Sequence, residues 1–426
     1  TTAGILSTGS VPTHPFTSFF RTIATPTGSQ TLPAVSDPAG GVAAQSRTGA
    51  AVAAAGDLNN DGVKDWLSGA PSYRAPAGLI GAVATAGPVE AGAALIYLGS
   101  TSAAERTAPD IIFAGVAAHD RAGVSVASDF DFNGDGIKDF VIGAEQVNRT
   151  PDDDPGAGCN AGAPCGKGKV YLIFFDPSDT VHYPNIANPA LSDTVSLSLV
   201  GQPGGIPGVV FDGAAFGDQA GFSVAGGGRS TLGGGTDIVI GAPGADPGGR
   251  TNAGAAYVVF DSSTLSGNIS LTRISDGLPD QIPGKAYLGA EAGDNLGFST
   301  AFAGAVVSGQ TVSNGSVLMG APAAAASRGT VILAPGDPDT TPIVVDAVGT
   351  THSGFQLVGT QPGEQLGGAV ADGGDVLADG VPDLLIGAPT YDAGSRTDAG
   401  RVIQTTQVIA SGVYSADAVG TTLNGV

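Results

Sequence analysis

The chain has 426 residues, 69 of them glycine and 28 proline, but only 17 Lys and Arg in all, so short strands and turns fit it better than long amphipathic helices with charged outer faces. A formal charge of −22 argues against a nucleic-acid partner, which needs clustered Lys and Arg, and a hydrophobic content of 42% supplies a core that a disordered chain would lack. The most apolar stretch, residues 78–98, is broken by Gly87, Pro88 and Glu90, short of the ~20 residues a membrane span requires, so no membrane insertion is expected.

In chain order, residues 1–40 come first. They hold Pro12, Pro15, Pro26, Pro33 and Pro38, and only residues 16–24 read as a strand. This stretch is expected to be an extension that closes or packs along the rest, or pairs with a neighbour. From residue 41 to residue 426 a unit recurs. Asp65-Trp66-Leu67-Ser68-Gly69-Ala70-Pro71 returns as Asp139-Phe140-Val141-Ile142-Gly143-Ala144-Glu145 and Asp237-Ile238-Val239-Ile240-Gly241-Ala242-Pro243, then as Ser316-Val317-Leu318-Met319-Gly320-Ala321-Pro322 and Asp383-Leu384-Leu385-Ile386-Gly387-Ala388-Pro389. Before each copy stands a glycine (Gly49, Gly123, Gly221, Gly297, Gly367) followed by alternating small and apolar residues, the period of a short strand. After each copy comes a third run, starting at Ala93, Lys169, Ala255, Thr330 and Arg401. A fourth strand fits the stretches ending at Gly115, Gly201, Gly289 and Gly359.

Each unit therefore reads as a four-stranded antiparallel meander. Such a sheet cannot bury both its faces alone, and stacking neighbours radially covers them, which predicts an all-β chain built as a β-propeller. The Gly-Ala-Pro corner suits that arrangement, since small residues let sheets approach closely. Five repeats are evident, with a count of six or seven blades left open. Residues 41–49 match residues 115–123, and residues 417–422 match residues 346–351, so both ends offer a strand to one seam and a composite sixth blade is an alternative.

Between the first and second strands of the first unit stand Asp57, Asn59, Asp61 and Asp65, at positions 1, 3, 5 and 9 of a loop, and the second unit repeats the spacing with Asp131, Asn133, Asp135 and Asp139. A hard cation such as calcium takes six to eight oxygens, and alternating carboxylates around a glycine bend can wrap them about one point, with the carbonyls of Val63 and Ile137 at position 7 adding to the set. An EF-hand starts alike but needs Glu at position 12, where Ser68 and Ile142 stand. Magnesium prefers a smaller octahedral shell, and an Asx-rich turn without metal is the remaining alternative. The fifth unit keeps Asp375, Asp379, the carbonyl of Val381 and Asp383 but has Leu377 at position 3, the third keeps only Asp237, and the fourth keeps none. Two calcium sites and a degenerate third are expected.

These units resemble FG-GAP repeats, the family that forms the propeller of integrin α chains and occurs in many bacterial surface proteins. Phe216-Gly217 and Gly241-Ala242-Pro243 stand close to the name, Gly221-Phe222 gives the strand-one signal in reversed order, and the resemblance spans about residues 41–426. It implies a secreted or cell-surface, calcium-binding module for adhesion or ligand binding, whose partner is a protein or glycan on another cell or matrix. Cys159 and Cys165 are spaced for a local disulfide, which would fit an oxidising compartment, with two free thiols as the alternative.

No catalytic apparatus is legible. His14, His119, His182 and His352 are scattered and none lies in a nucleophile motif. The acidic run Asp152-Asp153-Asp154 reads as a solvated loop. Two alternatives to the adhesion module stand: a structural subunit of a surface layer or filament that contacts copies of itself, and a polysaccharide lyase or hydrolase using the propeller channel.

Overall fold

A computed structural model describes residues 46–74, 88–99, 108–146, 166–186, 192–228, 235–304, 315–376, 378, 381–405 and 410–419. The extension of residues 1–40, the cysteine pair, the acidic run, Leu377 and Asp379 lie outside the described residues.

The chain is all-β. The first unit supplies β1 (Ala51–Gly56), β2 (Asp65–Ala70), β3 (Ala93–Tyr97) and β4 (Ile111–Ala114). The second supplies β5 (Ala122–Phe130), β6 (Asp139–Ala144), β7 (Lys169–Ile173), β8 (Asp193–Ser196) and β9 (Gly208–Asp212). In the third are β10 (Ser223–Gly228), β11 (Asp237–Ala242), β12 (Ala255–Val259), β13 (Gly267–Ser270) and β14 (Gly284–Leu288). The fourth has β15 (Ser299–Ala303), β16 (Ser316–Ala321), β17 (Thr330–Pro335), β18 (Ile343–Val344) and β19 (Phe355–Val358), and the fifth has β20 (Ala369–Gly374), β21 (Asp383–Ala388), β22 (Arg401–Thr405) and β23 (Gly412–Ser415).

These strands form five sheets, and their composition corrects the expectation of a four-stranded antiparallel meander. Four sheets have five strands, in the order β1-β2-β3-β4-β8, β5-β6-β7-β9-β13, β10-β11-β12-β14-β18 and β15-β16-β17-β19-β23. The outermost strand of each comes from the following unit and pairs in parallel, as Ile111 with Asp193 and Phe355 with Gly412. Among the described residues the fifth sheet has β20, β21 and β22 alone. A second correction concerns the stretch ending at Gly201, expected as the second unit's fourth strand. It is a 3-10 turn over Leu197–Leu199, and β9 takes the predicted place further on. The matching stretches near residues 346 and 417 are likewise 3-10 turns that follow β18 and β23 rather than fourth strands. Short runs of apolar residues beside serine carry no register of their own, and pairing with a neighbouring sheet decides their conformation.

The first strands of successive sheets lie against one another, β1 on β5, β5 on β10, β10 on β15 and β15 on β20. Alternation along each inner strand sends one set of side chains to the preceding sheet and the other set to the following one. Val239 thus joins Val317 and Met319, while Ile238 and Ile240 join Val141 and Phe211. The core is accordingly a series of apolar layers between neighbouring sheets.

The corner glycines are the point of closest approach, as the sequence implied. A Cβ on Gly69, Gly143, Gly241 or Gly320 would stand 1.9 to 2.1 Å from the carbonyl oxygen of Gly123, Gly221, Gly297 or Gly367 in the next sheet. Three of these carbonyls also accept a hydroxyl hydrogen bond, from Ser125 at 2.7 Å and from Ser223 and Ser299 at 2.8 Å. Among the described residues no helix is long and apolar enough to cross a membrane.

Candidate metal centre

The first two hairpin loops fold alike, residue for residue. In the first, Asp57 accepts hydrogen bonds from the amides of Asp61 (3.0 Å) and Gly62 (2.8 Å), Asn59 Oδ1 accepts from Asp61 N (3.2 Å), and Asp61 Oδ1 accepts from Val63 N (2.8 Å). In the second, Asp131 accepts from Asp135 (3.2 Å) and Gly136 (2.9 Å), Asn133 Oδ1 from Asp135 N (3.0 Å), and Asp135 Oδ1 from Ile137 N (2.7 Å). Gly62 and Gly136 take left-handed φ values of 87° and 86°, which lets the chain fold back under these side chains. Each side-chain oxygen that accepts one amide keeps a second lone pair for another partner.

The ninth-position aspartates behave differently. Asp65, Asp139 and Asp383 are buried at the start of their strands and turn back to bind the amide of the loop's second residue: Leu58 at 2.6 Å, Phe132 at 2.7 Å and Val376 at 2.7 Å. Asp65 also accepts from Gly99 N (2.6 Å), and Asp237 accepts from Asp261 N (2.9 Å). Each of these four units has a β-bulge just before the loop, whereas β15 and β16 pair without one where Ser316 replaces the aspartate. Bulge and carboxylate occur together, and in the first, second and fifth units the extra residue lets the loop's amide swing over the buried acid.

The second loop is further braced from outside its own sheet. Thr236 donates its amide (2.7 Å) and hydroxyl (3.0 Å) to the carbonyl of Asp131, and Ser262 N donates to the carbonyl of Phe132 (3.3 Å). Burial pushes the Asp139 carboxyl up to about 7, aided by the charges of Asp135 and Asp131. Burial likewise raises Asp65, with Asp61 and Asp57 adding to the effect. Asp139 Oδ1 and Asp383 Oδ1 are buried and accept no hydrogen bond, so each is a full lone-pair set facing no donor.

A cation site built here would draw on Asp57, Asn59, Asp61 and the carbonyl of Val63 in the first loop, and on Asp131, Asn133, Asp135, the carbonyl of Ile137 and the free oxygen of Asp139 in the second. This all-oxygen donor set suits a hard cation. Among the described residues no three or more His, Cys, Asp or Glu side chains are gathered closely enough to hold a metal by themselves. In the fifth unit Asp375 and Val381 flank the loop while Asp383 anchors it.

One set of acids went unnoticed in the sequence. Asp120, Asp218, Asp294 and Glu364 each close the turn ahead of a first strand, accepting from the amides of Ala117 (2.8 Å), Ala215 (2.7 Å), Glu291 (3.0 Å) and Thr360 (2.7 Å). The next residue, Arg121, Gln219, Asn295 or Gln365, is left-handed, with φ from 54° to 58°. The recurring acid three residues before each glycine, at Gly123, Gly221, Gly297 and Gly367, is the signal that could have revealed them. No protein-family model and no curated protein matches the chain.

Proposed function

We propose that the chain is an extracellular, calcium-binding array of propeller blades of the FG-GAP type, serving as an adhesion or ligand-binding module for a protein or glycan. The observation that carries this reading is the pair of loops in adjacent sheets that share spacing, glycine bend and hydrogen-bond pattern, each presenting carboxylate, amide and carbonyl oxygens at one hairpin end. Blade character is supported by five sheets whose first strands stack in sequence and whose corners meet through glycines.

Exposed acids such as Asp61 and Asp135 repel one another when no ion lies between them, so binding favours the folded state by mass action. Shallow, partly exposed sites of this kind suit the millimolar calcium of extracellular fluids better than the submicromolar level inside cells. The rigid sheets then hold the intervening loops as a recognition surface.

Metal analysis of the purified protein tests the reading directly, and at least two calcium ions per chain are expected. A metal-free protein whose melting curve ignores both calcium and EGTA would reduce the loops to ordinary hairpin turns. Glycan and matrix-protein arrays probed with and without calcium identify the ligand class.

A further inference from the structure

We propose that Asn133 is a self-modifying site: in the folded loop the backbone nitrogen of Gly134 attacks its side-chain amide, ammonia leaves, and the residue ends as a carboxylate. Among the described residues Asn133-Gly134 is the one place where glycine follows asparagine. Glycine has no side chain to shield its own nitrogen, and its backbone is free to take the conformation that closes the ring. Gly134 is exposed and left-handed, with φ of 75°.

The loop surrounds this dipeptide with the groups that the reaction needs. Gly134 N donates to Asp131 Oδ1 at 2.7 Å, so a carboxylate already accepts the hydrogen that the attacking nitrogen must shed. Asn133 Oδ1 accepts from Asp135 N at 3.0 Å, and that amide stabilises the negative charge that develops on Oδ1 as the nitrogen adds. Asn133 Nδ2, the leaving nitrogen, donates to Asp135 Oδ2 at 2.9 Å. A bond forms between Gly134 N and Asn133 Cγ, the Cγ–Nδ2 bond breaks, and ammonia departs with the proton from Gly134 N. Water then opens the cyclic imide at one carbonyl or the other, giving an aspartate or an isoaspartate linkage. No other reactant is consumed.

The first loop supplies the contrast. Asn59 makes the same pair of contacts with Asp61, at 3.2 Å and 3.1 Å, but the residue after it is Asn60, whose side chain crowds the nitrogen. Asp57 accepts from the amides of Asp61 and Gly62 and not from that of Asn60, so the attacking nitrogen has no carboxylate beside it. One of two matched loops is therefore built to change with time. The product adds a negative charge beside Asp131 and Asp135, and its isoaspartate form lengthens the main chain and carries Asp135 out of register.

The full chain, kept folded in EGTA at neutral pH for weeks and then digested with trypsin, tests this independently of the cation reading. Residues 122–138 form one peptide, bounded by Arg121 and Lys138, in which Asn133 is the only amide side chain, and residues 48–64 form another that holds Asn59 and Asn60. The first peptide is expected to gain about 1 Da and to split into aspartate and isoaspartate forms, and the second to stay unchanged. Asp131→Asn keeps a side-chain oxygen for the loop amides but removes the base, and should slow conversion about tenfold or more. Gly134→Asn, which copies Asn60, should lower the rate to that of Asn59, and Asn60→Gly should make the first loop convert. An Asn133 that stays intact overturns the proposal. So does a rate that Asp131→Asn leaves unchanged, or one that rises when the chain is unfolded in urea, since the reaction would then be that of any Asn-Gly sequence.

Discussion

The second and third hairpin loops begin from the same scaffold and differ in what was kept. Both connect the first and second strands of a sheet across a bulge, and both end in a buried aspartate, Asp139 or Asp237. The second keeps Asp131, Asn133 and Asp135, whereas the third has lost all three positions and retains only the aspartate. Asp237 survives in company with Asp261 N, which donates to it. The ninth aspartate thus serves the fold by anchoring a backbone amide, and an ion would be left to the first, third and fifth positions, joined in the second loop by the remaining oxygen of Asp139. The fourth unit completes the series, because with Ser316 in place of the aspartate the bulge itself is gone.

That division can be broken by substitution. Asp139→Ala carries the largest expected effect, since it removes both the Phe132 anchor and an oxygen of the second site. Loss of a buried hydrogen-bond acceptor costs about 1–3 kcal/mol, and the contribution expected of calcium at the proposed site, about 2.7 kcal/mol at a hundredfold excess over Kd, would go with it. Asp237→Ala should show the first cost alone, equal in calcium and in EGTA by thermal melting. Equal calcium dependence in the two variants would erase the distinction between the loops.

Asp61→Ala and Asp135→Ala test the other half of the comparison. Each should remove one bound ion and its share of stabilisation, about 2.7 kcal/mol under the same excess, while leaving the melting temperature in EGTA close to that of wild type. A variant that loses stability equally in EGTA would place these side chains in the fold rather than at the ion.

pH sharpens the contrast more gently. The Asp139 carboxyl is raised to about 7 in the folded chain by burial and by its acidic neighbours, above the ordinary range of an unfolded aspartate. Its contribution to metal-free stability is therefore full below about pH 4 and is lost as pH rises through about 7. A calcium ion at the proposed site would hold the carboxylate ionised, so the calcium-induced rise in melting temperature should be larger at pH 8 than at pH 5, and Asp139→Asn should narrow that difference. The smallest effect is expected from Asp379→Ala, where Leu377 already interrupts the oxygen pattern. Calcium stoichiometry should not change, and the loss of a whole ion would show the fifth loop to be a working site.

The repeats were legible because each inner strand satisfies two local demands at once, a period of two and a glycine at the point of close approach. Phe140, Val141 and Ile142 are all buried, as a strand covered on both faces requires. The loop acids were legible through spacing alone. Less legible was the role of Asp65 and Asp139, since a carboxylate at position nine looks the same in sequence whether it faces an ion or the amide of Leu58 or Phe132. The turn acids Asp120 and Asp218 were missed for a related reason, because their partners lie three residues back in a backbone conformation that only the adjoining sheets impose.

Amino-acid order by itself determined the five units, their inner strands and the oxygen pattern of two loops, since these depend on side-chain period and on neighbours within a few residues. Tertiary structure alone decided that each complete sheet takes its outermost strand in parallel from the following unit, because β8, β13, β18 and β23 are segments of two to four residues whose only register comes from the edge they meet. It also set the corner glycines apart. Gly387 carries the same local motif as Gly241, but among the described residues the carbonyl of Gly297 lies over Gly241 and no such carbonyl lies over Gly387.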